Sequence, residues 1–174
     1  EKKEEEIEQK IASSGKAKEL ALIYIETPAN PTNDLFSIAE MVELGKKYTE
    51  LNGHKVYVAV DNTYLGPIWQ KPLQLGADIT VYSATKYLGG HSDLIAGAVM
   101  GTAEVITRVK TLRTFLGNMI SPHTAWMLLR SLETLQIRME RQQSNAIEVA
   151  KFLSKHPMVE RVYFLGEGGI VSEK

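Results

Sequence analysis

Apolar residues along this chain follow two rhythms. Leu20 to Ile25, Val56 to Val60 and Ile79 to Tyr82 are short, nearly continuous apolar runs, the pattern of strands covered on both faces. Leu94 to Met100 is a fourth candidate, with small residues at Ala96, Gly97 and Ala98. Between the first two runs, Ile38, Met41, Val42, Gly45 and Tyr48 recur at helical spacing. Ser37 with Glu40 three positions later has the form of a capping box, and Asn52-Gly53 closes the segment. An amphipathic helix with one face on a core is expected there. Strand, helix and strand in that order predict an α/β fold with an open, mostly parallel sheet covered by helices.

Ser121-Pro122 has the form of a helix start, because Ser can cap while Pro occupies the first helical position. Helical character continues to about Leu153, which predicts one long helix of the kind that connects domains. Residues 1–19 are charge-rich and end in Ser13, Ser14 and Gly15, as expected of a solvated helix and a turn. Val159 to Leu165 reads as a strand that begins something new. The expected organisation is therefore a charged helix and turn over 1–19, a cofactor-binding α/β body with its connecting helix over 20–153, and the start of a C-terminal domain over 154–174. Opening on Glu1 without a methionine and stopping after a Gly-rich stretch, the chain reads as a piece of a longer protein.

Charge and composition narrow the function classes. Twenty Lys and Arg against twenty-one Asp and Glu give a net charge of -1, so no overall basic field draws nucleic acid or an anionic membrane. There is no cysteine, which excludes disulfides and thiolate metal sites and fits a reducing compartment; the cytoplasm is the expectation. No apolar run has the length of a membrane span. His54, His91, His123 and His156 lack metal-ligand spacing, so no metal is expected.

In an open parallel sheet, ligands collect beyond the carboxyl ends of the strands. Three loops would lie there: Glu26-Thr27-Pro28-Ala29-Asn30-Pro31, Asp61-Asn62-Thr63-Tyr64, and Ser83-Ala84-Thr85-Lys86-Tyr87-Leu88-Gly89-Gly90-His91. Taken singly, each has an ordinary explanation as turn chemistry or a solvated lysine. Gly89-Gly90 forms neither a Walker nor a dinucleotide fingerprint. Taken together they match the needs of pyridoxal phosphate. That cofactor requires a lysine amine to form an imine, most reactive when desolvated in a pocket, and Lys86 can supply it. It requires an anion beside the pyridine nitrogen, for which Asp61 is placed. Ser83 and Thr85 can donate to the phosphate, and Asn30 to the ring hydroxyl.

The stretches Glu26 to Pro31, Val60-Asp61-Asn62-Thr63, Gly76-Ala77-Asp78 and Tyr82 to Asp93 resemble the Cys/Met metabolism (trans-sulfuration) family of pyridoxal-phosphate enzymes. The likeness continues through Arg130-Ser131-Leu132-Glu133-Thr134-Leu135 to Val162-Tyr163 and covers essentially everything after residue 19. It implies part of the large domain of a fold-type I enzyme. By resemblance, Lys86 holds the cofactor and shuttles protons at the substrate's α and β carbons, and Asp61 pairs with the pyridinium nitrogen. Thr63 sits against the ring face, Ser83 and Thr85 bind the phosphate, Asn30 binds the ring hydroxyl, and Glu26 supports the site from behind.

The resemblance also implies parts that are not identifiable before Glu26: a glycine-containing phosphate loop, a ring-stacking tyrosine and a Tyr-x-Arg pair given to a neighbouring subunit. An arginine that clamps the substrate carboxylate belongs to a later domain, so about half a site is expected here. Asp61 to Pro67, and Arg130 to Leu135 followed by Arg138-Met139-Glu140, are most similar to the methionine γ-lyase branch. That branch implies a homo-oligomer, dimer or tetramer, that converts L-methionine to methanethiol, 2-oxobutanoate and ammonia by α,γ-elimination. Cystathionine γ-lyase, cystathionine β-lyase, cystathionine γ-synthase and O-acetylhomoserine sulfhydrylase share the cofactor residues and remain open. A non-catalytic assembly module and an aminotransferase are the readings from other classes; the former has no need of Lys86, Asp61 and Ser83 together, and the Ser-Ala-Thr-Lys-Tyr-Leu-Gly-Gly-His block argues against the latter.

Overall fold

The computed structural model describes residues 2–165, with side chains from residue 5 onward. Four strands lie in one sheet in chain order: β1 (Leu22–Glu26), β2 (Tyr57–Asp61), β3 (Ile79–Ser83) and β4 (Gly97–Gly101). β1, β2 and β3 are parallel. β4 runs antiparallel to β3, with Ser83 opposite Gly97 and Ile79 opposite Gly101. The sheet is thus mostly parallel, as the apolar runs predict. The direction of β4 follows from its connection, because a strand reached by a loop that folds back can pair only antiparallel.

Helix α2 (Ile38–Asn52) forms for the reasons its sequence supplies. The Ser37 hydroxyl accepts from the Glu40 amide at 3.3 Å, and Gly53, at a φ of 70°, ends the helix in the left-handed region. Its buried residues, among them Ile38, Met41 and Tyr48, meet Ile23, Ile25, Val58 and Val60 of the sheet. Gly45 permits this close approach, since a Cβ there would lie 2.7 Å from Cγ2 of Val58. Helix α1 (Lys2–Ser13) is present as expected but is not solvated all round. Ile7 and Ile11 pack on the same core, and Glu8 pairs with Lys47 of α2.

Three features depart from the sequence expectation. The long helix after Ser121 is two helices, α5 (Pro122–Leu132) and α6 (Leu135–Lys155), broken at Glu133-Thr134. A further helix, α4 (Ala103–Leu116), stands between β4 and α5; Thr102 caps its start and Gly117, at a φ of 71°, its end. Here α3 denotes the single turn Gly66–Trp69. Finally, Val159 to Leu165 forms no strand, because no other described segment offers it a ladder. The rest of the expected C-terminal segment, from residue 166, lies outside the described residues.

A second, smaller core joins the sheet to the end of the chain. Tyr82, Ala84 and Leu88 pack with Leu135 and Met139 of α6. The loop that carries Lys86 is therefore anchored from below by its own apolar neighbours. Among the described residues no helix is long and apolar enough to cross a membrane.

Candidate active site

Parallel pairing brings the carboxyl ends of β1, β2 and β3 to one edge, with Glu26 opposite Asp61 and Asp61 opposite Val81. The loops leaving those ends surround an open cavity of about 1150 Å³. All six residues expected from the sequence line it: Asn30, Asp61, Thr63, Ser83, Thr85 and Lys86. Glu26 lines it as well.

Asp61 is held at both carboxylate oxygens. Its Oδ1 accepts from the Thr63 amide at 3.0 Å and from the Thr63 hydroxyl at 2.6 Å, while Oδ2 accepts from the Tyr24 hydroxyl at 3.2 Å. The Thr63 hydroxyl in turn accepts from the Ser83 amide at 2.8 Å. One threonine thus ties the end of β2 to the end of β3. Its one donor hydrogen is spent on Asp61, and what Thr63 can set against a flat ring is its methyl group.

Lys86 lies on a tight turn. The Lys86 amide donates to the Ser83 carbonyl at 3.1 Å, the Gly89 amide to Ala84 at 2.8 Å, and the Gly90 amide to Lys86 at 2.7 Å. Ala84 and Leu88 point into the second core, and Lys86 is left exposed toward the cavity. The desolvation expected around the lysine is not supplied by the described residues. The Ser83 hydroxyl has no hydrogen-bond partner among them and is free to donate. The Thr85 hydroxyl is engaged: it accepts from the Ala96 amide at 3.0 Å and donates to the Ala96 carbonyl at 3.3 Å.

Pyridoxal phosphate suits this donor set, since an amine, a fixed carboxylate and a free hydroxyl converge on one cavity and nothing in the lining calls for a metal. The sequence profile described as "Cys/Met metabolism PLP-dependent enzyme" matches residues 1–168. The chain belongs to that family. It is 46% identical to an L-methionine gamma-lyase of Porphyromonas gingivalis over 164 residues, 93% of this chain and 39% of that protein. It is 38% identical to a cystathionine gamma-synthase of Haemophilus influenzae over 151 residues, 86% of this chain and 39% of that one. Among solved structures, a cystathionine gamma-lyase from Lactobacillus plantarum complexed with L-serine superposes with a TM-score of 0.70 at 36% identity, over 79% of this chain and 35% of that one. The chain spans less than two fifths of the length of these relatives.

Within this family frame, three residues to which the sequence assigns no separate role shape the site. Asn62 is by residue type a turn former beside Asp61 and part of the motif there. It is fully buried, shares its two amide hydrogens among the Gly66 and Gln70 carbonyls at 3.0 and 2.8 Å and the Tyr82 hydroxyl at 2.9 Å, and accepts from the Gln70 side chain at 2.8 Å. This fixes the loop after β2 while its neighbour Asp61 faces the cavity. Tyr24 follows from strand alternation: it lies two residues before Glu26, which pairs with Asp61, and so shares the face of that carboxylate. Arg138 gave no local signal, since its partners are in the loop after β3 and at the end of α5.

Proposed function

We propose that the complete protein is a pyridoxal-phosphate-dependent carbon–sulfur lyase that takes L-methionine and water to methanethiol, 2-oxobutanoate and ammonia. The observation that carries this reading is the convergence of Lys86 and the doubly held Asp61 on one cavity at the carboxyl edge of the sheet. The choice of methionine is supported by the 46% identity to the Porphyromonas gingivalis enzyme and by 42% identity to an L-methionine gamma-lyase of Pseudomonas putida. Cystathionine is the second reading, favoured by the Lactobacillus plantarum structure and by 42% identity to a cystathionine beta-lyase of Coxiella burnetii.

When bound, the cofactor supplies a protonated pyridine ring that withdraws electrons from the substrate's α carbon. Lys86 would hold the cofactor through its amine, and the same amine would move protons at the substrate's α and β carbons. Asp61 keeps the ring nitrogen protonated by standing next to it as an anion, with Thr63 and Tyr24 holding the carboxylate in place. Ser83 offers a free hydroxyl to the phosphate. Thr85 does the same by turning its hydrogen away from the long bond to the Ala96 carbonyl while still accepting from the Ala96 amide. Asn30 donates to the ring hydroxyl, and Thr63 sets its methyl against the ring.

Because the chain spans only part of its relatives, we assign substrate choice and assembly into a dimer or tetramer to the complete protein. The deciding experiment offers the full-length enzyme L-methionine, L-cystathionine and O-acetyl-L-homoserine in parallel and measures methanethiol and 2-oxobutanoate. Methanethiol with equimolar 2-oxobutanoate from methionine, at the highest kcat/KM of the three, supports the methionine reading. Turnover confined to cystathionine assigns the second.

A further inference from the structure

The guanidinium of Arg138, on the first turn of α6, reaches across to the loop that carries Lys86. Its Nη1 donates to the Tyr87 carbonyl at 2.8 Å, and Nη2 donates to the Ser131 carbonyl at 2.8 Å with a longer 3.5 Å contact to Leu88. Nε donates to the Thr134 hydroxyl at 3.0 Å. Among the described residues no carboxylate pairs with it. The cation is held by carbonyl dipoles and one hydroxyl, including a carbonyl from the last turn of α5, where a positive charge is favoured. A planar fork with several fixed donors can span such a set, and a lysine ammonium cannot.

Gly90 makes the contact specific. It sits at a φ of 74°, and a Cβ there would lie 1.9 Å from Nη1 of Arg138 and 2.5 Å from Cζ. The guanidinium therefore occupies the space that any side chain at position 90 would need. Gly90 also closes the turn through its bond to the Lys86 carbonyl and lines the cavity. Tyr87, Leu88 and Gly90 all follow Lys86 within four residues, so what fixes them fixes the base of the lysine.

We propose that Arg138 is a positioning residue for Lys86: by binding the Tyr87 and Leu88 carbonyls and lying against Gly90, it locks the turn that presents the amine to the cavity. This rests on the reading of Lys86 as the amine that takes the cofactor. Arg138 itself is outside the cavity lining and touches no reacting atom. The break between α5 and α6 acquires a purpose, since the same guanidinium closes that corner through Ser131 and Thr134.

The test uses the full-length protein stripped of cofactor, with Arg138→Lys beside the unsubstituted form. Two quantities are read: hydrogen exchange of the peptide spanning residues 84–92, and the rate at which added pyridoxal phosphate becomes fixed to Lys86 by borohydride. The lock predicts exchange in that peptide about tenfold faster in Arg138→Lys and fixation about tenfold slower, with β1 to β3 peptides unchanged. Thr134→Val, which removes one anchor only, should move both quantities the same way by about twofold, and it carries the test should Arg138→Lys fold poorly. Unchanged exchange overturns the proposal. Faster exchange with normal fixation also overturns it, because Arg138 would then serve the fold and not the lysine. Failure of the unsubstituted protein to take the cofactor on Lys86 would overturn the reading of the site, while exchange still judges the lock.

Discussion

The Tyr24 hydroxyl donates to Oδ2 of Asp61 at 3.2 Å from the neighbouring strand, while Thr63 supplies two donors to Oδ1. A carboxylate held from both sides keeps its orientation without a ligand. The contact also acts on Tyr24. Its phenol is pushed up to about 12, by partial burial first and then by the Asp61 charge and hydrogen bond, with a further push from Glu26. Tyr24 is still 53% exposed, so solvent screening limits what this shift contributes to stability.

Tyr24→Phe should therefore remove one late-ionising phenol from an alkaline absorbance titration of the native protein. The sign for stability follows from linkage. An unfolded tyrosine ionises near 10, so between about pH 10 and 12 the folded state holds a proton that the unfolded state has lost. The contribution is full below pH 10 and fades as pH rises through 12. Urea unfolding at pH 9 and pH 11 should show a smaller alkaline loss in Tyr24→Phe than in the parent. An identical loss in both would contradict the assignment of the phenol.

Asp61→Asn should preserve the local geometry and remove the charge. The amide oxygen can keep both Thr63 donors, and the amide nitrogen can take the place of Oδ2, with the Tyr24 hydroxyl turning from donor to acceptor. Cofactor occupancy should change little. If Asp61 holds the ring nitrogen protonated, kcat of the full-length enzyme should fall by about a hundredfold, about 3 kcal/mol of barrier. The Tyr24 phenol should at the same time ionise earlier, because its anionic partner is gone. A near-normal kcat at full occupancy would return Asp61 to an ordinary strand-end residue.

The sheet was readable because its apolar runs are nearly continuous, although among the described residues only β2 is buried on both faces, while Leu22 and Tyr24 of β1 are exposed. Val56, Val58 and Val60 leave no polar position to disturb the run, and Ser37 and Gly53 mark α2 at both ends. The site was readable for a topological reason, since residues placed after three parallel strands must share an edge. Other features depend on contacts distant in sequence. The direction of β4 is set by how the loop after β3 returns, and the break at Glu133-Thr134 contains neither Gly nor Pro to announce it. Helix α4 carries Val105, Val109, Leu112 and Leu116 along one face at helical spacing, but only Val105 is buried, so no described segment covers that stripe. Val162 and Tyr163 have the residue types of a strand, but pairing needs a partner, and none is present among the described residues. Arg138 was legible only as part of a motif, because its work is done against a loop some fifty positions earlier.

Asn62→Ala should lower stability by about 2 kcal/mol, because truncation takes a donor from the Gln70 carbonyl and the buried Tyr82 hydroxyl and an acceptor from the Gln70 side chain. The loss should appear as a lower urea midpoint with an unchanged slope. A change under 0.5 kcal/mol, on the scale of ordinary surface substitutions, would mean that the loop after β2 does not depend on this hub.

The account turns on Lys86, and the most direct measurement is where the cofactor attaches. The full-length protein, loaded with pyridoxal phosphate and reduced with borohydride, should lose its visible absorbance. Peptide mapping should place the stable adduct on Lys86, with the yield abolished in Lys86→Ala. An adduct on any other lysine, or equal labelling of Lys86→Ala, would contradict the account.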